Sequence, residues 1–190
     1  MDLIPLIVVK NRKVSKQDSD LLDKITNGDE QIIYLLDIDG IERNKPNLCT
    51  YQRLSKNFQI WVDGSPRNIG DVVDAFMAGA ESITLRTETW PSINIENIRE
   101  ISDNKVFINI EKEGVGFLPS YNADGLVNFN TKEEVEGDFK TNHMLKQLSS
   151  KNNLFSYEDN PKNLTYWKTY NPKGLLVDIK KIEEFKKYGI

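Results

Sequence analysis

Cysteine and histidine are almost missing from this 190-residue chain, which has one of each, Cys49 and His143. A single cysteine rules out an intrachain disulfide and any cysteine-based metal site, and it fits a reducing, cytoplasmic setting. A single histidine removes Ser-His-Asp catalysis and multi-histidine zinc sites. His143 lies in the polar run TNHMLKQL, which reads as a surface helix. Long apolar runs are also missing. The opening MDLIPLIVV has an apolar run too short to span a bilayer, with the acidic Asp2 before it, and lacks the basic start and cleavage site of a secretion signal. It reads as a buried first strand. A surplus of positive charge is lacking too. The net charge is -4, and no Lys/Arg stripe is interleaved with aromatics, so a nucleic-acid footprint is not expected. The basic runs Lys10 to Lys16 and Lys180 to Lys187 read as solvated faces.

What the chain does have is a series of short apolar runs rich in β-branched residues. Eight read as strands: Leu3 to Val9, Ile32 to Ile38, Gln59 to Asp63, Ser82 to Arg86, Val106 to Glu111, Gly125 to Phe129, Leu154 to Tyr157 and Gly174 to Ile179. Several are apolar almost throughout, as parallel strands buried on both faces are. Helical segments alternate with most of them: Asp18 to Thr26, Leu48 to Lys56, Asn94 to Ser102, a stretch within Thr131 to Ser149, and Ile182 to Lys187. The clearest helix follows the third strand, with Ser65 as N-cap, Pro66 as first helical residue and Gly79 as the stop. Its Val72, Val73, Phe76 and Met77 recur at helical spacing and read as core contacts. After the fifth strand, KEGVGFLPSYN has no helical periodicity, so one helix is expected to be missing there. PRNIGDVVDAF (66–76) is echoed by PKNLTYWKTY (161–170), each before a strand. These patterns predict an α/β fold: a compact (β/α)8 barrel with trimmed loops, in one domain of residues 1–190, with half-barrels roughly at 1–103 and 104–190. Such a barrel is short, since the fold typically takes ~250 residues.

The segments IPLIVVKNRKV, YLLDIDGIERNKPN and WVDGSPRNIGDVVDAFMAGAESITLRTET resemble the HisA/HisF family of barrels, in particular its ProFAR isomerase branch in histidine biosynthesis and that branch's archaeal relatives. The match is best over residues 31–90 and thin after Gly116. The resemblance implies phosphorylated ribotides bound at the carboxyl ends of the strands and an isomerisation by a general acid and a general base. The family's two catalytic aspartates fall here on Val8 and Glu111. Valine exchanges no proton, and loss of one member of such a pair typically costs ~10²–10⁴-fold in rate. Glutamate keeps a carboxylate one methylene further out, where catalytic geometry tolerates only ~0.5 Å. Ordinary ProFAR isomerase activity is therefore not expected. The family's glycine-rich phosphate cradles are also altered, to Asp63-Gly64-Ser65 and Arg86-Thr87.

The candidate catalytic residues are Glu111, Asp37 and Asp39. Asp37 and Asp39, two apart at a strand end, are expected to share a face at the barrel mouth and position substrate; the structural alternative is that they cap a loop or helix. The candidate phosphate-binding residues are Ser65, Arg67, Arg86 and Thr87. Asp63 and Arg67 can instead pair with each other, and Arg86 can bridge to Asp63 or Asp39 as structural glue. No metal and no cofactor is called for. The expected ligand is a small phosphorylated metabolite, with neither nucleic acid nor membrane involved. Two functions stay open: an isomerase-like or lyase enzyme, and a barrel that has lost its site and serves a protein partner.

Overall fold

In a computed structural model that describes residues 1–25, 31–110 and 122–189, eight parallel strands close into a barrel. They are β1 (Asp2–Lys10), β2 (Ile32–Asp37), β3 (Gln59–Asp63), β4 (Ala80–Leu85), β5 (Lys105–Ile110), β6 (Gly125–Asn128), β7 (Leu154–Tyr157) and β8 (Gly174–Asp178). Neighbours in sequence pair in register order, and β8 returns to β1 from Asp2↔Gly174 to Leu6↔Asp178. Every expected strand is present, with ends shifted by one or two residues, apart from Glu111, which lies outside the described residues. The fold is thus an α/β (β/α)8 barrel with flanking helices.

Alternation along each strand divides the core in two. Residues such as Ile7, Val9, Ile33, Leu35, Ile60, Val62, Ile83 and Leu85 face outward under the helices. Ile4, Leu6, Tyr34, Trp61, Phe107, Val127, Phe155 and Leu176 fill the barrel itself. Barrel interiors are usually filled by branched aliphatics; here aromatic rings dominate. Trp61 is the hub, with ring centroids 3.9 Å from Phe107, 4.9 Å from Phe155 and 5.0 Å from Tyr34. Each such pair contributes ~0.5–1.5 kcal/mol beyond the area it buries. A few large rings fill a barrel whose strands are short.

The helices are α1 (Lys16–Ile25), α2 (Ile38–Arg43), α3 (Leu48–Leu54), α4 (Ile69–Met77), α5 (Ile95–Arg99), α6 (Lys132–Gly137), α7 (Phe139–Ser149), α8 (Leu164–Lys168) and α9 (Ile182–Lys187). Their ends follow local chemistry. Asn68 caps α4 by accepting from the Asp71 N–H, and Thr131 with Glu134 forms a capping box on α6. Asp138 ends α6 and caps α7, which splits the single helical stretch expected there.

Three sequence expectations need correction. The helix after β3 starts at Ile69 rather than Pro66, because Ser65 takes a left-handed conformation (φ 54°) that no N-cap adopts, and the chain turns there first. Met77, expected in the core, is 80 % exposed: the α4 stripe facing the barrel runs through Val72 and Ala75 instead. The second strand stops at Asp37 and α2 begins at once, so Asp39 is helical. Gly79 does end α4 with positive φ (96°). The helix expected to be missing after β5 falls on residues 111–121, outside the described residues.

Candidate functional site

The carboxyl ends of the strands form the barrel mouth. Side chains on the inner face there are Val8, Leu36, Asp63, Arg86, Asn109, Phe129, Tyr157 and Asp178. Their placement follows from strand parity with the inner-core residues two positions earlier.

Asp63 is fully buried and holds Arg86 through two bonds, Nε at 2.9 Å and Nη2 at 2.7 Å. Its Oδ2 also accepts the Tyr34 hydroxyl at 2.8 Å. Thr84 extends the network: its hydroxyl donates to the Tyr34 oxygen at 3.1 Å and accepts the Trp61 indole N–H at 2.9 Å. The Arg86 guanidinium lies 5.8 Å from the Phe129 ring centroid, and its side chain keeps 15 % exposure. Burial, then the adjacent Asp63 carboxylate, pushes the Tyr34 phenol well above its ordinary range, so it stays a neutral donor. Of the two pairings weighed from sequence, the one with Arg86 is present and that with Arg67 is not. Arg67 lies on the loop before α4; its Nη2 donates to the Ile41 carbonyl at 3.2 Å, and its Nε is buried with no hydrogen-bond partner among the described residues.

Asn109 follows the paired residues Leu85 and Ile108, which sets it beside Arg86. It is buried, and its Oδ1 has no hydrogen-bond partner among the described residues. Across the mouth, Tyr157 stacks on Phe129 at 5.7 Å, and Asp178 ends β8 half-buried. Burial and the carboxylates of Asp159, Asp178 and Glu158 raise the Tyr157 phenol. The mouth therefore pairs a fixed cation on one wall with a carboxylate and a phenol on the other.

Asp37 and Asp39 do not share a face at the mouth. Asp37 has the outward parity of Ile33 and Leu35. It caps α2 through the N–H groups of Asp39 and Gly40, accepts the Asn47 N–H at 2.7 Å, and accepts the Tyr51 hydroxyl. Asp39, on α2, accepts from the Arg12 N–H at 2.9 Å, from Asn47 Nδ2 at 3.0 Å and from Arg43. Those donors, Asn47 first and the Arg12 N–H next, hold its carboxyl well below the usual carboxylate range. The two side chains thus take the capping role, because the helix starts at Ile38, the residue expected to end the strand. Ser65 is buried and its hydroxyl meets that of Thr89 at 2.6 Å, so it bonds within the loops. Thr87 is half-buried just past β4. Glu111 lies outside the described residues.

The sequence reading gave no role to Tyr34, and none at the mouth to Phe129 or Tyr157. The signal for them was available: on a barrel strand an aromatic two residues from an inward apolar residue also faces inward. Among the described residues there is no group of three or more His, Cys, Asp or Glu side chains placed to hold a metal, and no helix long and apolar enough to cross a membrane.

Fold and mouth together define a (β/α)8 barrel with a polar, aromatic-walled carboxyl-end site. No protein-family model matches the chain, and no curated protein matches it in sequence. Among solved structures it is similar to thiamine phosphate pyrophosphorylase from Pyrococcus furiosus, with a TM-score of 0.57 and 16 % identity over 98 % of this chain and 94 % of that one. That protein is a barrel of a different family from HisA/HisF, so the family resemblance read from residues 31–90 is not upheld. At this identity the similarity establishes the shared barrel and no more. What misled is the βα-unit itself: an apolar strand ending in Asp, a Gly-Ser turn and an amphipathic helix satisfy the packing of any such barrel.

Proposed function

We propose that this chain is a single-domain barrel that binds a small phosphorylated metabolite at its carboxyl-end mouth. The observation that supports it most is the guanidinium of Arg86, fixed by the buried Asp63 while its side chain stays partly open to the mouth. A cation held by a second group behind it is pre-positioned, and Arg is suited to planar, bidentate contact with phosphate. Asn109 lies beside it, and Asp178 and Tyr157 face it from the other wall, where proton exchange with a bound ligand belongs. The similar solved structure bears the name of an enzyme of a phosphorylated compound, which agrees with this ligand class. Ser65, Arg67 and Thr87 border the same end of the barrel, and Glu111 directly follows β5. An exposed free thiol at Cys49 is in keeping with a reducing, cytoplasmic location.

A second reading has its own support. Val8, 37 % exposed, stands at the end of β1, and Asp63 neutralises Arg86. A barrel in which that pair serves only to close the mouth would act through a protein partner.

Thermal denaturation with a panel of sugar phosphates and ribotides separates the two. A ligand at 100 times its dissociation constant adds ~2.7 kcal/mol of stability. The expected outcome is stabilisation by at least one phosphate ester that is lost in Arg86→Met and weakened in Asp178→Asn. Stabilisation by none of them, with the fold intact, removes the metabolite reading.

A further inference from the structure

The basic turn after β1 and the end of α2, some thirty residues apart in sequence, meet on one rim of the barrel. Asn11 and Arg12 both have positive φ (52° and 65°), which makes the two-residue turn of a hairpin between β1 and Lys13–Val14. Asn44, also left-handed (φ 53°), caps α2 and turns the chain so that Arg43 and Lys45 flank it. The Arg12 N–H bonds to Asp39 and Arg43 bonds to Asn11, which locks hairpin and helix together. Between them lies a cavity of ≈ 280 Å³ lined by Asn11, Arg12, Asp39, Arg43, Lys45 and Asn47. Three cations face one carboxylate there, in a chain whose net charge is -4. Arg43 is paired with Asp39. The side chains of Arg12 and Lys45 have no ion-pair partner among the described residues and are exposed. The cavity falls below the ~300–1,000 Å³ range of pockets that enclose a drug-sized ligand, so it suits a compact anionic group.

We propose that this rim cavity is a phosphate-binding site, with Arg12 and Lys45 as the ligand-facing cations. Arg43 is the positioning residue: tied to Asp39 and Asn11, it holds the hairpin against α2 and adds charge. The Asn47 amide is committed to Asp37 and Asp39, so it shapes the wall rather than binding. The site draws on residues remote in function from the Asp63–Arg86 pair and stands whether or not the mouth binds a metabolite.

The test is calorimetric titration of the full chain with inorganic phosphate and with glycerol phosphate, at low ionic strength. Removing one charge-assisted hydrogen bond to the phosphate is expected to weaken binding by about tenfold or more. Arg12→Ala with Lys45→Ala should remove one binding event from the isotherm while the melting temperature holds. Any binding that survives this double variant belongs to the mouth, and an isotherm that it leaves unchanged overturns the rim site. A control with Lys151→Ala and Lys187→Ala removes the same charge elsewhere; equal weakening there would reduce the effect to net charge and overturn the proposal, as would wild-type protein that binds neither probe. Tighter binding of the ester upholds the site with a metabolite's phosphate as its ligand, and equal binding upholds it for the free ion.

Discussion

Neutralising Asp63 removes the buried carboxylate that holds Arg86 through two bonds, and that is the sharpest test at the scale of a residue. Asp63 is fully buried and serves three donors at once, two from Arg86 and one from Tyr34. Removing one partner of a buried pair costs ~3–5 kcal/mol, because the remaining charge stays desolvated. Asp63→Asn is therefore expected to destabilise by about that amount, read from urea midpoints at constant slope. A cost below ~1 kcal/mol would mean that water reaches the pair and that it behaves as a surface ion pair. Sequence alone carried this pairing only as one of two alternatives. Asp63 and Arg67 are close in the chain, whereas Asp63 and Arg86 meet only because neighbouring parallel strands set β3 and β4 ends side by side. That is tertiary information, and periodicity within one strand does not contain it.

At the scale of an element, α2 and the loop after β3 touch backbone to backbone. A Cβ added to Gly40 would come within 2.5 Å of the Gly64 carbonyl oxygen. Gly40→Ala must push α2 away from β3, and with it Asp39 and the hairpin it holds. Overpacking of this kind typically costs ~1–3 kcal/mol. The expected result is a lower urea midpoint together with faster amide exchange at Arg12, whose N–H is bonded to Asp39; unchanged stability would show that α2 shifts freely. The same junction explains where the sequence reading fell short. The strands were legible, since short β-branched runs between Gly and Asn turns leave little choice. The start of α2 was not, because LLDIDG alternates as a strand does. Only the N–H groups of Asp39 and Gly40 turning back onto the Asp37 carboxylate make it a helix cap. Once the strand ends at Asp37, Asp37 and Asp39 leave the mouth, and the candidate acid/base pair goes with them.

At the scale of the molecule, buried phenols set the alkaline limit of the fold. Tyr34, Tyr51 and Tyr166 are all raised above the ordinary phenol range, chiefly by burial. Asp63 reinforces this at Tyr34, Asp37 at Tyr51 and the Tyr170 hydroxyl at Tyr166. In the unfolded chain these phenols ionise near pH ~10. Above that pH the unfolded state binds fewer protons than the native state, so stability falls as pH rises. Their contribution is fully present below pH ~10 and is lost on the way up to the raised native values. On the acid side Asp39 and Asp138 are lowered, so their contributions hold above the ordinary carboxylate range and fade as pH falls through it. The prediction is a broad plateau between these limits and, on the alkaline side, coupled titration. Of the seven tyrosines, Tyr34 and Tyr51, both fully buried, should give no tyrosinate absorbance until the barrel unfolds, then ionise together with loss of the far-ultraviolet signal. Tyr51→Phe should remove one phenol from that cooperative step without adding one to the reversible titration. Seven phenols titrating reversibly near pH ~10 with the barrel intact would mean that the Asp37 and Asp63 networks are open to water.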